Sequence, residues 1–175
     1  WCLNGATINV SGSEPLSGYT INAIEGKLDG SAFACAGDSC AVPVSGGGSH
    51  SAEFWALSSF GDSSTKGNET LKIDDDLPSV NGNLSGSTGS NGWYVSNVTA
   101  SATGSDATSG LAAAQVQVDS GGWVNNSALI GDGTHTVKFR AVDNAGQVGS
   151  SGTQTIKIDS TPPTLNLTAS GTSGT

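Results

Sequence analysis

A segment that opens at Trp1 and closes at Asp74 recurs from Trp93 to Asp159 with the same punctuation. Internal repetition of this kind constrains the architecture before any residue is given a role. At one constant spacing, Trp1, Thr7, Gly12, Ser13, Ser17 and Gly18 fall on Trp93, Thr99, Gly104, Ser105, Ser109 and Gly110. At a second, shorter spacing, Gly48, His50, Phe54, Ala56, Gly61, Gly67, Thr70, Lys72, Ile73, Asp74 and Pro78 fall on Gly133, His135, Phe139, Ala141, Gly146, Gly152, Thr155, Lys157, Ile158, Asp159 and Pro163. The shortening places extra residues in the first copy, between Gly18 and Gly48. A third copy begins near the C-terminal end, where Pro163, Asn166, Ser170, Gly171 and Gly174 echo Pro78, Asn81, Ser85, Gly86 and Gly89. Its tryptophan falls due at about position 178. The chain thus reads as two periods of a longer array. One module spans residues 1–78 and a second spans 93–163; residues 79–92 are a linker or the first strand of the second module, and 164–175 start the next repeat.

Modules of this size bury a modest core. With 26 Gly, abundant Ser and Thr, no Met and only 6 Lys plus Arg, the residues are poor helix formers. Val, Ile, Thr and Trp concentrate instead in short runs, which favours strands. A net charge of −9 leaves no clustered base for a phosphate backbone, so nucleic acid is not an expected partner. No apolar run approaches the roughly 20 residues of a membrane-spanning helix, so no membrane insertion is expected. The expected partners are neighbouring repeats of the same protein, with self-assembly into fibres as a further expectation.

Cys35 and Cys40 bracket the short sequence Ala-Gly-Asp-Ser in the region of the extra residues. A disulfide there pins the insertion and points to an oxidising, extracellular compartment. The metal reading of the cysteines is weaker, because the nearest histidine, His50, has its twin His135 in a copy without cysteine. Cys2 is left to compete for a loop cysteine, pair elsewhere or stay free.

In the second copy, Val98 to Thr103 and Leu111 to Asp119 alternate as strands around a Gly104 to Gly110 loop. Ser120-Gly121-Gly122 turns the chain into Trp123-Val124, and Gly131-Asp132-Gly133 turns it into His135 to Asp143. Asn144-Ala145-Gly146 then closes a hairpin into Thr153 to Asp159. The first copy predicts strands near Thr7 to Ser11, Tyr19 to Asp29, Ser49 to Ser58 and Glu69 to Asp74. Short strands at such spacing are the pattern of an all-β sandwich. The series Trp, Ser-Gly, Val-Asp-Ser-Gly-Gly-Trp, Gly-Thr-His-Thr-Val-Lys-Phe-Arg-Ala-Val-Asp-Asn-Ala-Gly and Ile-Lys-Ile-Asp-Ser-Thr-Pro-Pro resembles the bacterial immunoglobulin-like modules. These are close to fibronectin type III modules and stand in tandem in large secreted and cell-surface proteins. The resemblance covers nearly all of the second copy and, more loosely, the first, where Trp55 stands at the Arg140 position and Ser58 at the Asp143 position. It implies two tandem immunoglobulin-like β-sandwich modules in an extracellular or cell-surface setting, and it is silent on ligand.

Three groups of residues are candidates for more than framework. If the strand before Ser105-Asp106 and the strand ending at Asp143 place those loops at one pole, the linker Asp74-Asp75-Asp76 arrives at the same pole. Up to five carboxylates, Asp74, Asp75, Asp76, Asp106 and Asp143, then meet at the module junction, where a hard cation such as calcium takes six to eight oxygens. The competing reading is a set of solvated surface acids, and after Asp159 two of the three linker acids are gone. Trp55 and Trp123, with Tyr19, are candidates for a carbohydrate platform; the competing reading makes the duplicated Trp1 and Trp93 core or interface anchors and has Trp123 cover the sandwich edge. His50 and His135 open equivalent strands with no repeated acid or nucleophile beside them in sequence, so a hydrogen-bonding role at the turn is expected, and an enzyme is not. The expected role is a structural segment of an extracellular fibre, stalk, filament or adhesin. The alternative is a carbohydrate- or protein-binding module using the Cys35 to Cys40 loop.

Overall fold

The computed structural model describes residues 1–3 and 5–171, and all regular secondary structure among them is β. The third-repeat expectation at 172–175 lies outside the described residues.

The first copy forms β1 (Ala6–Ser11), β2 (Ile21–Leu28), β3 (Ser31–Ala36), β4 (Ser39–Val44), β5 (Gly48–Ser58) and β6 (Gly67–Ile73). They make an antiparallel sheet in the order β3-β2-β5-β6 and a two-stranded sheet of β1 with β4. Alternation sets the faces: in β4 the side chains of Cys40, Val42 and Val44 point inward while Ser39, Ala41 and Pro43 face out. Ile24 of β2 is buried against Cys40 and Val42, with Val10, Ile21, Leu28, Phe33 and Cys35 around them, so the core lies between the two sheets. Pro43, which lacks an N–H, is tolerated because β4 is an edge strand.

The extra residues of the first copy are not a free loop. They lengthen two strands: β3 and β4 have 6 residues each, where their counterparts β11 (Val124–Asn125) and β12 (Ser127–Ile130) have 2 and 4. Asp29 and Gly30, at φ 49° and 82°, make the two-residue turn joining β2 to β3. The chain then changes sheet at Gly37-Asp38, where Gly37 N–H donates to Asn22 O and Asp38 O accepts from Gly12 N–H. Cys35 on β3 and Cys40 on β4 form a disulfide across that corner, Cα–Cα 5.5 Å, linking one sheet to the other. Cys2 is a free thiol, and its backbone bridges Lys72 O and Asp74 N.

The second copy adds β7 (Ser79–Ser85), β8 (Trp93–Tyr94), β9 (Val98–Ser105), β10 (Leu111–Val118), β13 (Gly133–Asp143), β14 (Val148–Ser150) and β15 (Gln154–Ile158) to β11 and β12. One sheet runs β12-β9-β7; the other runs β11-β10-β13-β15-β8, with β14 on β13. Residues 79–85, read as linker or first strand, form β7 beside β9. The turn at Asn144-Ala145-Gly146 leads first into the short β14 rather than directly into β15. Asn126, at φ 66°, makes the change of sheet alone, its N–H donating to Ala114 O and its O accepting from Ala102 N–H. Val98, Val116, Val137, Phe139 and Ile158 are fully buried.

By compactness the chain divides into one unit of Trp1–Val80, Gly104–Ala113 and Ala141–Gly149, and another of Asn81–Thr103, Ala114–Arg140 and Ser150–Thr175. The first unit therefore holds the first copy together with the ends of β9, β10 and β13 and their loops.

Candidate functional site

Within the first unit, the carboxylates of Asp74, Asp106 and Asp143 each present an oxygen within 4.8 Å of the other two. Asp74 follows β6, Asp106 follows β9, and Asp143 ends β13. Each is held by backbone N–H groups. Asp106 Oδ1 accepts from Thr108, Ser109 and Gly110 N–H at 3.1, 2.9 and 2.8 Å, which winds the loop around it. Asp143 Oδ1 accepts from Ala145 and Gln147 N–H at 2.9 and 2.8 Å. Asp74 Oδ1 accepts from Asp76 N–H and Oδ2 from Ser109 N–H, at 3.0 and 3.1 Å. Hydrogen bonding from Ser109 is the main reason that Asp74 stays below the usual carboxylate range, and hence ionised. Gln147 Nε2 donates to the carbonyls of Asp74 and Asp76, fastening the segment after β6 onto the turn after β13.

Of the five acids expected to meet, three do. Asp75 and Asp76 are exposed, and Asp76 Oδ2 accepts from Thr108 Oγ1 at 3.2 Å. At the position matching Asp143 the first copy has Ser58, whose Oγ donates to Asp62 and accepts from Phe60 N–H. Asp159, the counterpart of Asp74, makes the same local turn, with Oδ1 accepting from Thr161 N–H at 3.1 Å, but it is exposed.

Each of the other candidates has a partner. Lys66 Nζ stands 4.8 Å from the centroid of the half-buried Trp55 ring, and Trp55 Nε1 donates to Glu25 Oε2 at 3.2 Å. The Arg140 guanidinium lies 4.3 Å from the Trp123 ring while its Nε donates to Gln115 Oε1 at 2.7 Å. One face of each ring thus carries a cation. Tyr19 lies against Phe60, with ring centroids 4.7 Å apart. Trp1 and Trp93 are not core residues: they are 45% and 37% exposed, with Lys72 and Lys157 over their rings at 5.5 and 5.9 Å. The alternation that turns these lysines outward puts them there.

His50 and His135 form matched clamps that the neighbouring residues in the sequence do not reveal, because the acid lies 21 residues away in the first copy and 16 in the second. His50 Nδ1 is 2.7 Å from Asp29 Oδ2 and its Nε2 is 2.9 Å from Gly46 O. His135 Nδ1 is 2.8 Å from Asp119 Oδ2. Both aspartates have positive φ and accept the next backbone N–H of the histidine strand, from Ser51 and Thr136, at 2.8 Å. The aspartate hydrogen bond raises each histidine above its ordinary value of 6.5, and the histidine hydrogen bond lowers each aspartate below 3.8. The histidine contribution is therefore complete below the ordinary value and lost as pH rises through the raised one. The aspartate contribution is present above the ordinary carboxylate value and lost as pH falls through the lowered one. The unfolding midpoint should decline as pH rises from below the ordinary histidine value through the raised one, modestly because the pairs are solvated. His50→Gln with His135→Gln should flatten that slope; an unchanged slope in the double variant excludes the clamps as its source.

No protein-family model matches the chain, and no curated protein matches it. Solved structures similar to it include the fibronectin(III)-like modules of Clostridium thermocellum CbhA. There the identity is 17% and the TM-score 0.42, with 89% of this chain and 86% of that one covered. Another is SGBP-B of the Bacteroides ovatus mixed-linkage glucan utilization locus, in complex with a mixed-linkage heptasaccharide. The identity is 8% and the TM-score 0.31, with 90% of this chain and 65% of that one covered. The chain itself is an all-β protein in which each copy of the repeat folds into two β-sheets.

Proposed function

We propose that the chain is a structural segment of an extracellular fibre, stalk, filament or adhesin, in which each module takes its first strand from the segment that closes the copy before it. The observation that carries this reading is a difference between the copies. In the second, β7 lies beside β9; in the first, β1 has only β4 beside it among the described residues. Residues 164–170 stand in repeat register with β7, sharing Asn166 and Ser170 with Asn81 and Ser85, and Leu165, Leu167 and Ala169 stand at the positions of Val80, Gly82 and Leu84, the inward face of β7. That segment alternates apolar and polar residues as a strand does, yet Leu165 and Leu167 are 89% and 88% exposed. Along the free side of β1, Val10 to Ser13 line a cleft of about 260 Å³ with Ile24, Phe54 and Ala56. Phe54 is half-buried there, whereas its counterpart Phe139 is fully buried against Gly82 of β7.

Residues 164–170 of a neighbouring copy supply what this edge lacks: backbone groups to pair with β1 and two leucines for the cleft. Strand addition of this kind draws affinity from main-chain hydrogen bonds and specificity from alternate side chains. Unpaired edges otherwise invite indiscriminate association. The test is analytical ultracentrifugation of the 175-residue chain across a concentration series, beside Leu165→Lys/Leu167→Lys. The parent chain should form concentration-dependent head-to-tail oligomers and the variant should remain monomeric. A parent that stays monomeric throughout, or a variant that associates equally well, sinks the proposal.

A further inference from the structure

The structure assigns a calcium site to Asp74, Asp106 and Asp143, independently of whether copies join. Convergence of acids alone would not make a site. The decisive feature is Asp143, which is 2% exposed and whose Oδ2 is buried without a hydrogen-bond partner among the described residues. Its Oδ1 is already committed to Ala145 and Gln147 N–H, so the orphaned oxygen is the one left to face another group. A buried carboxylate oxygen that has surrendered water and gained nothing is costly. Here it belongs to a carboxylate that meets two others, one of them, Asp74, fully buried. Among the described residues, no ion pair reaches any of the three. A cation resolves all of this at once: it satisfies Oδ2 and neutralises the mutual repulsion.

The donor set selects the ion. All three ligands are carboxylate oxygens, without the thiolate or imidazole that zinc favours, so the site suits a hard cation. Two oxygens bound to one calcium at about 2.4 Å can be no more than about 4.8 Å apart. The three oxygens fall within that limit, 4.8 Å. The remaining positions of a calcium shell go to the second carboxylate oxygens and to water. Asp106 fits the pattern, since every hydrogen bond it accepts among the described residues falls on Oδ1, leaving Oδ2 for the ion. The ion would tie three segments far apart in sequence into the first compact unit: the end of β6, the loop after β9 and the end of β13.

The test is calorimetric titration of the metal-stripped full chain with calcium chloride, alongside thermal unfolding in calcium and in chelator. A single site is expected, with a dissociation constant of about 10⁻⁴ M and a midpoint several degrees higher in calcium. Magnesium should bind at least tenfold more weakly. Asp143→Asn and Asp106→Asn should each weaken calcium binding by tenfold or more, while Asp75→Asn, outside the cluster, should leave it unchanged. If Asp143→Asn does not fold by circular dichroism, the half-buried Asp106 decides the matter. Absence of a calcium heat and midpoint shift up to about 10 mM overturns the assignment. So does calcium binding by Asp106→Asn as tight as that of the parent, or equal affinity for magnesium.

Discussion

Phe139→Ala should lower stability by about 3–5 kcal/mol, the range for deleting a buried phenylalanine ring. Phe139 is fully buried on β13, and its ring lies so closely over Gly82 of β7 that a Cβ built on Gly82 would fall inside it. Glycine at 82 is thus a packing requirement, and Gly82→Val should cost about 1–3 kcal/mol from the opposite direction, by overfilling the space. Phe54→Ala removes the same group at the matching position, where the ring lies over Gly67 of β6 but is only half-buried. Its cost should be less than half that of Phe139→Ala, since the transfer gain and the residual cavity both scale with burial. Urea unfolding of the three variants measures this directly. Equal losses at Phe54 and Phe139 would mean that β7 contributes little to burying the ring.

This pair of phenylalanines shows what the sequence conveyed and what it withheld. The repeat register aligned Phe54 with Phe139, and the strands expected over Ser49 to Ser58 and His135 to Asp143 match β5 and β13. The different burial of the two rings was not legible, because it depends on β7, whose Gly, Ser and Asn content weakens the strand signal until β9 is beside it. The β3–β4 segment was read as an insertion loop for a related reason: the Asp29-Gly30 turn that starts it was absorbed into the preceding strand. The convergence of Asp74, Asp106 and Asp143 followed from topology alone, since a strand ends at the pole where its antiparallel neighbour starts. Which acids would point inward did not. Asp75 faces out because Asp74 and Asp76 close a turn around it, a choice made by backbone hydrogen bonds. The histidine clamps were not legible locally because Asp29 and Asp119 reach their partners across strands that are adjacent in the sheet and distant in sequence.

Reduction of the Cys35–Cys40 disulfide should cost about 2 kcal/mol, less than the loss of Phe139, because the loop it closes is short and loop-closure entropy grows only slowly with length. The sequence separation is 5. The bond's position gives it a structural consequence beyond that number. Cys35 belongs to the sheet of β2, β3, β5 and β6, Cys40 to the sheet of β1 and β4, and the bond fixes the corner where the chain passes from one to the other. The second copy makes the equivalent passage through the single residue Asn126 and has no cystine, so its corner serves as an internal control. Before reduction, thiol labelling of the unfolded chain should modify Cys2 alone; afterwards it should modify Cys2, Cys35 and Cys40. Hydrogen exchange should then quicken at β3 and β4 while β11 and β12 keep their protection. A reduced protein with three reactive thiols and an unchanged unfolding midpoint would show that the paired strands hold this corner unaided. In that event Gly12, Asn22, Gly37 and Asp38, whose backbone hydrogen bonds join the corner to both sheets, would be what holds it.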